Sequence, residues 1–260
     1  MRAFQYKAWG LLTPTLVILI FIGLLPFFYV IYLSLFKYNI WSAIGMVFTG
    51  VDNFRKLMFD SDFMYSLGTG LTFVAITCVL QMFLGLAIAL LLTNEFVGKG
   101  VIRTILALPL AIAPITIGSI WVLMTNPDIG PLPYILHKIG ISYNIGVNAN
   151  QAFFTVVLMD VWHWTPFITL TLLAGLTSFP REPFEAAIVD GANKWQVLRY
   201  ITFPLLTPVI LTVLFIRIMD AFRIFDEVWM LTSGGPGTAT RFVSIEVVRR
   251  ILVSTDYGYF

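Results

Sequence analysis

The chain has 260 residues, of which 58% are hydrophobic and 12% are charged, and its formal net charge is +2. Soluble globular domains carry roughly 25% charged residues, so this composition excludes an ordinary soluble protein and predicts a membrane protein. The small net charge, on a chain without basic runs, predicts no nucleic-acid partner. The single cysteine, Cys78, excludes an intrachain disulfide and a multi-cysteine metal site.

Five hydrophobic runs are long enough to cross a hydrocarbon core about 30 Å thick, which requires about 20 helical residues. They are Leu11–Phe36, Leu67–Thr93, Thr104–Met124, Ala152–Ser178 and Leu205–Phe222. The first run lacks a small-residue cleavage site, so we expect a retained helix and not a signal peptide. A sixth apolar segment, Phe242–Val253, is short and interrupted by Arg249 and Arg250, and it is not expected to span. Prolines such as Pro109 and Pro114 predict kinked helices that line a path.

The basic residues predict the orientation. With the N-terminus in the cytoplasm, segments 1–10, 94–103 and 179–203 carry seven basic residues inside, against four in the outer loops 37–66 and 125–151. Arg241, Arg249 and Arg250 oppose this distribution. Five crossings leave the C-terminus outside, and "STDYGY" before Phe260 is typical of the approach to another helix, so we expect the natural chain to continue.

Residues 184–206 read FEAAIVDGANKWQVLRYITFPLL and separate the last two runs. Pro183 suits a first helical turn, and Phe184, Ala187, Ile188 and Gly191 share one face with little bulk after Phe184. We predict a break at Asp190–Gly191. Asn193 followed by Gln196 predicts a capping box that opens a second short helix, after which Pro204 opens the fifth membrane helix. A rigid helix–turn–helix with a small-residue face is suited to close docking by another protein, although the same residues also fit a solvated helical loop.

The segment "EAAIVDGA", with Ile201 and Pro204 downstream, resembles the Glu-Ala-Ala cytoplasmic signature of ABC importer permeases, with Phe203 replacing the usual leucine. "FTGVDNFRKLM", "WHWTPFITLTLLAGLTSFP" and "FRIFDEVWMLTSGGPGTAT" are similar to segments of the maltose-type sugar and glycerol-phosphate permease subunits, and they occur in the same order. The resemblance therefore extends over nearly the whole chain.

This resemblance implies an all-α, polytopic transmembrane permease with a six-helix family core, of which this chain has five clear spans, the sixth missing or truncated. It implies one permease domain over residues 1–260 with a cytoplasmic coupling insert at 179–203. The implied partners are a second homologous permease subunit, two cytoplasmic ATPase subunits that bind ATP and Mg²⁺, and an extracytoplasmic solute-binding protein. The implied location is the plasma membrane of a bacterium or archaeon, among membrane lipid, with a carbohydrate as substrate and no cofactor in this chain.

In such importers the insert is the coupling helix that fits a cleft in the ATPase. By this resemblance Ala186, Ala187 and Gly191 allow close approach, while Glu185 and Asp190 pair with basic groups or cap backbone donors of the ATPase.

Ionisable residues within membrane runs are costly and are candidates for function. Aromatic rings stack on sugars and carboxylates meet hydroxyls, so the candidates for substrate contact are Trp121, Asp160, Trp162 and Trp164. Trp162 and Trp164 cannot point the same way on one helix, and packing or membrane-interface roles explain these residues as well. Arg217, Asp220 and Arg223 recur every three residues and can pair along one face, either in a cavity or as a clamp to the partner permease.

Other functions remain open at this point. An ion-coupled secondary carrier would use Asp160 and Asp220, a structural scaffold would use the insert for assembly only, and an intramembrane hydrolase would need Asp160 and His163. No catalytic residue or metal site is predicted.

"SGGPGTAT", residues 233–240, lacks a preceding strand and a Gly-Lys-Ser/Thr, so it is not a nucleotide-binding loop, and a flexible external turn is expected. Disaccharides, oligosaccharides and glycerol phosphate all fit as solutes, and the arginines keep an anionic solute open.

Overall fold

The computed structural model describes residues 12–39, 45–254 and 257–259. It divides into two compact units, one drawn from Met1–Tyr65 and Glu246–Phe260 and the other formed by Ser66–Ile245. The predicted cytoplasmic segment 1–10 and Phe260 lie outside the described residues. The prediction of a single permease domain stays a prediction.

The described part of the chain is almost entirely helical, as predicted. The helices are α1 Leu12–Ser34, α2 Asp52–Met58, α3 Ser61–Leu91, α4 Lys99–Ala107, α5 Pro114–Thr125, α6 Pro131–Lys138, α7 Ala149–Thr177, α8 Glu182–Val189, α9 Lys194–Phe222, α10 Asp226–Thr232 and α11 Val243–Ser254. A short antiparallel hairpin pairs β1, Phe36–Lys37, with β2, Val47–Phe48.

Four helices are long and apolar enough to cross a membrane: α1, α3, α7 and α9. They confirm four of the five predicted runs. The α11 helix has 12 residues, or about 18 Å, and is not among these candidate spans, as predicted.

The third predicted run is not one straight helix, because α4 with its following 3₁₀ turn, Leu108–Ala111, is bent by 99° against α5. The bend lies at Ile112 and Ala113, both of which have extended backbone before Pro114. A residue that precedes proline is pushed out of the helical region, so Pro114 ends one helix and starts the next. With 12 residues, α5 reaches only about 18 Å.

The predicted start of the fifth run, at Leu205, is wrong. Helix α9 begins at Lys194 and continues through Pro204. A π-helical turn at Leu198–Thr202 ends two residues before the proline. Such wider turns accommodate a local disturbance within a helix, and here the chain continues as a helix past a residue that lacks an N–H donor. The second half of the insert and the fifth span are therefore one 29-residue helix.

Helix α7 lies at the centre of the larger unit, with 67% of its most apolar window buried. It packs against α3 where an added Cβ on Gly85 would lie 2.6 Å from Ile168 Cγ2, so glycine is required for this close crossing. Cys78 of α3 is buried in a second hydrophobic cluster, which includes Phe73 and Met159, as expected for a small hydrophobe. In contrast, no residue in the most apolar window of α1 is buried, which leaves this helix available to lipid or to another subunit.

The segment 233–240 is closed by hydrogen bonds of Thr240, and its predicted flexibility stays a prediction. Thr240 is fully buried, and its side chain donates to the Gly235 carbonyl at 3.0 Å. The hydroxyls of Thr232 and Thr240 are 2.6 Å apart and close the base of the loop. Hydroxyl side chains that bond across the loop connect its ends without secondary structure.

In the smaller unit, Arg250 of α11 is the centre of an ion-pair cluster. Its guanidinium donates to both oxygens of Asp60, one at 2.8 Å, and also to Glu246. The hydrogen bond from Arg250 holds the pKa of Asp60 well below its usual range. This pairing raises the pKa of Arg250 in turn. The cluster ties α11 to the turn that precedes α3.

Candidate functional site

A buried charge network joins three of the membrane helices in the larger unit. Arg217 of α9 is 1% exposed, and Asp160 of α7 and Gln81 of α3 are fully buried. One terminal nitrogen of Arg217, Nη2, donates to both oxygens of Asp160, at 2.8 and 2.6 Å. Its Nε donates to Gln81 Oε1 at 2.8 Å. Buried charges are tolerated when they are paired and hydrogen-bonded, and here each partner comes from a different helix.

Gln81 closes this network on its other side. Its Nε2 donates to a side-chain oxygen of Asp160 at 2.8 Å and to the Asp160 carbonyl at 3.0 Å. Gln81 was not predicted from the sequence. A polar amide inside an apolar run was the available signal, but its partners are 79 and 136 residues away, so the pairing could not be inferred from spacing.

The predicted pairing along α9 is confirmed. Asp220 accepts from Arg217 Nη1 at 2.8 Å, and its other oxygen is 3.5 Å from Arg223. The three side chains form a line of alternating charge that runs from the buried network to the surface, where the Arg223 side chain is 81% exposed. Such i, i+3 pairs stabilise a helix when the signs alternate.

A cavity of about 360 Å³ opens next to this line of charges. It is lined by residues from α5, α7, α9 and α10 and from the link between the last two helices: Pro114, Asp160, Trp164, Arg217, Asp220, Arg223, Ile224, Phe225, Asp226 and Glu227. Five of the seven residues that the sequence suggested for substrate contact therefore line one cavity. Their roles stay predictions.

The two other predicted residues lie elsewhere. Trp121 and Trp162 contact each other edge to face, with ring centroids 6.3 Å apart, and neither lines the cavity. Trp164 lies at the cavity and its ring is 5.1 Å from the Arg217 guanidinium, a cation–π distance. This arrangement follows from helix geometry, which places residues two apart on different faces.

His163 pairs with Glu227 and not with Asp160. The Nδ1 atom of His163 is 2.5 Å from Glu227 Oε1, and both side chains are almost fully buried. Asp160 is occupied by Arg217 and Gln81, so the structure does not bring together the Asp160–His163 pair that a hydrolase would need. The two partners are 64 residues apart in the chain, so this pairing could not be inferred from sequence spacing.

Helix α10 is held tightly against α5 at the cavity wall. A Cβ added to Gly118 of α5 would lie 2.8 Å from the Glu227 carbonyl oxygen and 2.7 Å from Met230 Cβ. Glycine at this position lets the two short helices approach closely, which positions Glu227.

The insert is a helix–turn–helix, as predicted. Helix α8 ends at Val189, Asp190 caps it, and Gly191 follows with a φ of +74° that favours glycine. Asn193 accepts from the Gln196 backbone at 2.9 Å, and the Gln196 side chain accepts from the Asn193 backbone at 2.8 Å. The predicted capping box is therefore present and starts α9.

The outer surface of the insert is apolar and exposed, with Ile188, Val189, Trp195 and Tyr200 each more than two-thirds exposed. Glu185, Ala186, Asp190 and Gly191 are exposed as well. Ala187 is only 8% exposed and packs within this chain. Its predicted role in the close approach of a partner stays a prediction. A groove of about 580 Å³ separates α8 from the ends of α3 and α7 and is lined by Phe184, Glu185 and Ile188, among others.

The family described as "Binding-protein-dependent transport system inner membrane component" matches residues 81–251, which contain the charge network, the cavity and the insert. This chain belongs to that family. It is thus a membrane permease component, and the sequence-based recognition is confirmed.

Curated relatives of this permease include the trehalose/maltose transport system permease protein MalF of Thermococcus litoralis. It is 40% identical over 199 residues, which cover 76% of this permease and 68% of that protein. The trehalose transport system permease protein SugA of Mycobacterium tuberculosis is 32% identical over 235 residues, covering 90% and 75% of the two chains.

Solved structures show the same fold. A chain of a bacterial ABC transporter involved in the import of the acidic polysaccharide alginate aligns with a TM-score of 0.82 over the whole of this permease and 90% of that chain, at 21% identity. A second structure, of an alginate transporter in complex with a pentasaccharide-bound periplasmic protein, aligns equally well at 20% identity.

Proposed function

We propose that this chain is one of two permease subunits of an ATP-driven, binding-protein-dependent importer of a carbohydrate in the plasma membrane, with its N-terminus in the cytoplasm. The observation that carries the proposal is the 40% identity, over three-quarters of the chain, to a permease named for trehalose and maltose transport. A second relative named for trehalose supports the same substrate class.

The cavity next to Arg217 is the proposed contact with the sugar. Its volume of about 360 Å³ falls within the usual range of small-molecule sites. Trp164 offers an aromatic face for the apolar side of a pyranose ring, while carboxylates such as Asp226 accept from hydroxyls. This chain forms one half of the pathway, and the second permease subunit forms the other half.

The insert is the proposed contact with the ATPase subunits, which would hold ATP and Mg²⁺. Exposed Ile188, Val189 and Trp195 supply an apolar surface, and the exposed Glu185 and Asp190 supply charges for basic groups. Because the insert continues into α9 without a break, movement of the docked ATPase reaches the Arg217 network through one helix. The linkage is a population shift, since ATP favours one arrangement of the ATPase pair and the insert favours the matching arrangement of the membrane helices.

The ion-coupled carrier is disfavoured by the pairing of its candidate carboxylates. Asp160 and Asp220 both accept from Arg217, so neither is free to bind a proton or a sodium ion without breaking a charge pair.

The proposal is tested by purifying the tagged chain from its native membrane and comparing wild type with Gly191→Trp. Gly140→Trp is the matched control, because both glycines have a positive φ and open space around the Cβ position. We expect an ATPase and a second permease to accompany the wild type, with hydrolysis stimulated by binding protein and sugar. Gly191→Trp should reduce the stimulated rate by at least about tenfold, while the control retains it. Recovery of no ATPase, with uptake that follows an ion gradient, would refute the proposal.

A further inference from the structure

We infer that the cavity selects by charge: it accepts neutral carbohydrate and disfavours carbohydrate that carries a phosphate or a carboxylate. This inference rests on the proposed function and narrows its substrate class. The sequence alone left an anionic solute open because Arg217 and Arg223 were both available to bind it. In the structure, both arginines already have carboxylate partners within this chain.

Arg217 is already fully engaged by the protein. Each of its three guanidinium nitrogens donates to a side chain, to Gln81, to Asp220 and to Asp160, and the residue is 1% exposed. An anion in the cavity would have to displace a buried carboxylate in order to reach it. Only the exposed Arg223 remains as a cation on the lining, and it already lies 3.5 Å from Asp220.

The lining carries more carboxylates than cations. It has four carboxylates, from Asp160, Asp220, Asp226 and Glu227, and two arginines, so its formal charge is −2. Like charges at close range in a site of reduced dielectric repel strongly, so the cavity as a whole opposes a phosphate or a carboxylate.

The two neighbouring carboxylates on this wall, Asp226 and Glu227, differ in exposure. Glu227 is 3% exposed and lines the cavity, and its Oε2 has no hydrogen-bond partner among the described residues. Asp226 next to it is exposed and forms no ion pair within the described part of the chain. The exposed Asp226 carboxylate can accept hydrogen bonds from the hydroxyls of a neutral sugar, whereas it repels an anionic group. The fold does not decide this selectivity, since the alginate transporter with the same fold handles an acidic polysaccharide.

The test uses the complete complex in lipid nanodiscs without the solute-binding protein, so that selection by that protein does not enter. Radiolabelled trehalose is displaced by unlabelled trehalose or by trehalose 6-phosphate, which has the same skeleton with an added anionic group. We expect the phosphate to compete at least about tenfold more weakly, because of the excess negative charge. Asp226→Lys, an exposed site, should bring the two competitors to within about threefold of each other. Asp128→Lys, an exposed carboxylate that does not line the cavity, should leave the ratio unchanged.

Equal or stronger competition by the phosphate in the wild type would overturn the inference and leave the proposed function intact. An unchanged ratio in Asp226→Lys would also overturn it, since selection would then not depend on the lining charge. Absence of any specific trehalose binding would refute the cavity as a site for this sugar, and with it the substrate part of the proposed function.

Discussion

Replacing Arg217 by methionine removes the cation that joins α3, α7 and α9 and leaves Asp160 buried with a single side-chain partner. The fully buried carboxylate loses contacts at 2.8 and 2.6 Å, and Gln81 loses one at 2.8 Å. Breaking a buried ion pair in this way costs about 3–5 kcal/mol. In Asp160→Asn the new amide can still bond to Gln81, and Arg217 retains its ion pair with Asp220. We therefore expect a smaller loss of unfolding free energy, about 1.5–3 kcal/mol.

The double variant Arg217→Met/Asp160→Asn separates a true pair from two independent sites. Once Arg217 is absent, neutralising Asp160 relieves an uncompensated charge, so the double variant should be more stable than Arg217→Met alone. We expect a coupling free energy of at least about 2 kcal/mol, well above the average of about 0.6 kcal/mol for hydrogen bonds between membrane helices. Unfolding in mixed detergent–SDS micelles measures the four free energies. Additivity of the two single effects within about 0.5 kcal/mol would refute the energetic pairing of Arg217 with Asp160.

Three further predictions follow from local geometry. Gly118→Ala places a Cβ against the α10 backbone, so it should cost about 1–3 kcal/mol in the same unfolding assay, whereas Gly100→Ala, with open space around it, should be neutral or stabilising. Because Arg250 lowers the pKa of Asp60, the stability from this pair is present above the unfolded pKa of about 4 and is lost as the pH falls below it. Asp60→Asn should therefore show a smaller acid-dependent loss of stability than wild type by thermal unfolding between pH 6 and 3, and identical profiles would contradict this. Asn193→Ala removes the cap of α9 and should destabilise the insert by about 1 kcal/mol, seen as faster hydrogen exchange there, with the exchange of α3 unchanged.

The local features of the insert were predictable because their signals lie within a few residues of one another. Pro183, the Asp190–Gly191 break and the Asn193–Gln196 box each act over one turn, and the structure has all three. The paired charges of α9 were predictable for the same reason.

Other features depend on contacts that spacing cannot reveal. Hydropathy measures how apolar a run is and not its direction, so Pro114 predicted a kink but not a bend of 99°. Helix geometry required Trp162 and Trp164 to diverge, but only packing decides which of them reaches the cavity. The partner of Asp160 is set by the crossing of three helices, so His163, three residues away, was the wrong candidate.

The unbroken helix α9 has a mechanical consequence. Arg217 lies 23 residues beyond Lys194, at which the helix begins, and this is about 35 Å along the axis. A tilt of only about 10° at the Lys194 end would sweep Arg217 sideways by about 6 Å at this helical rise, more than twice the length of the hydrogen bonds that it makes. A helix of this length is therefore a lever, because a small rotation at its Lys194 end displaces Arg217 by more than the length of its hydrogen bonds.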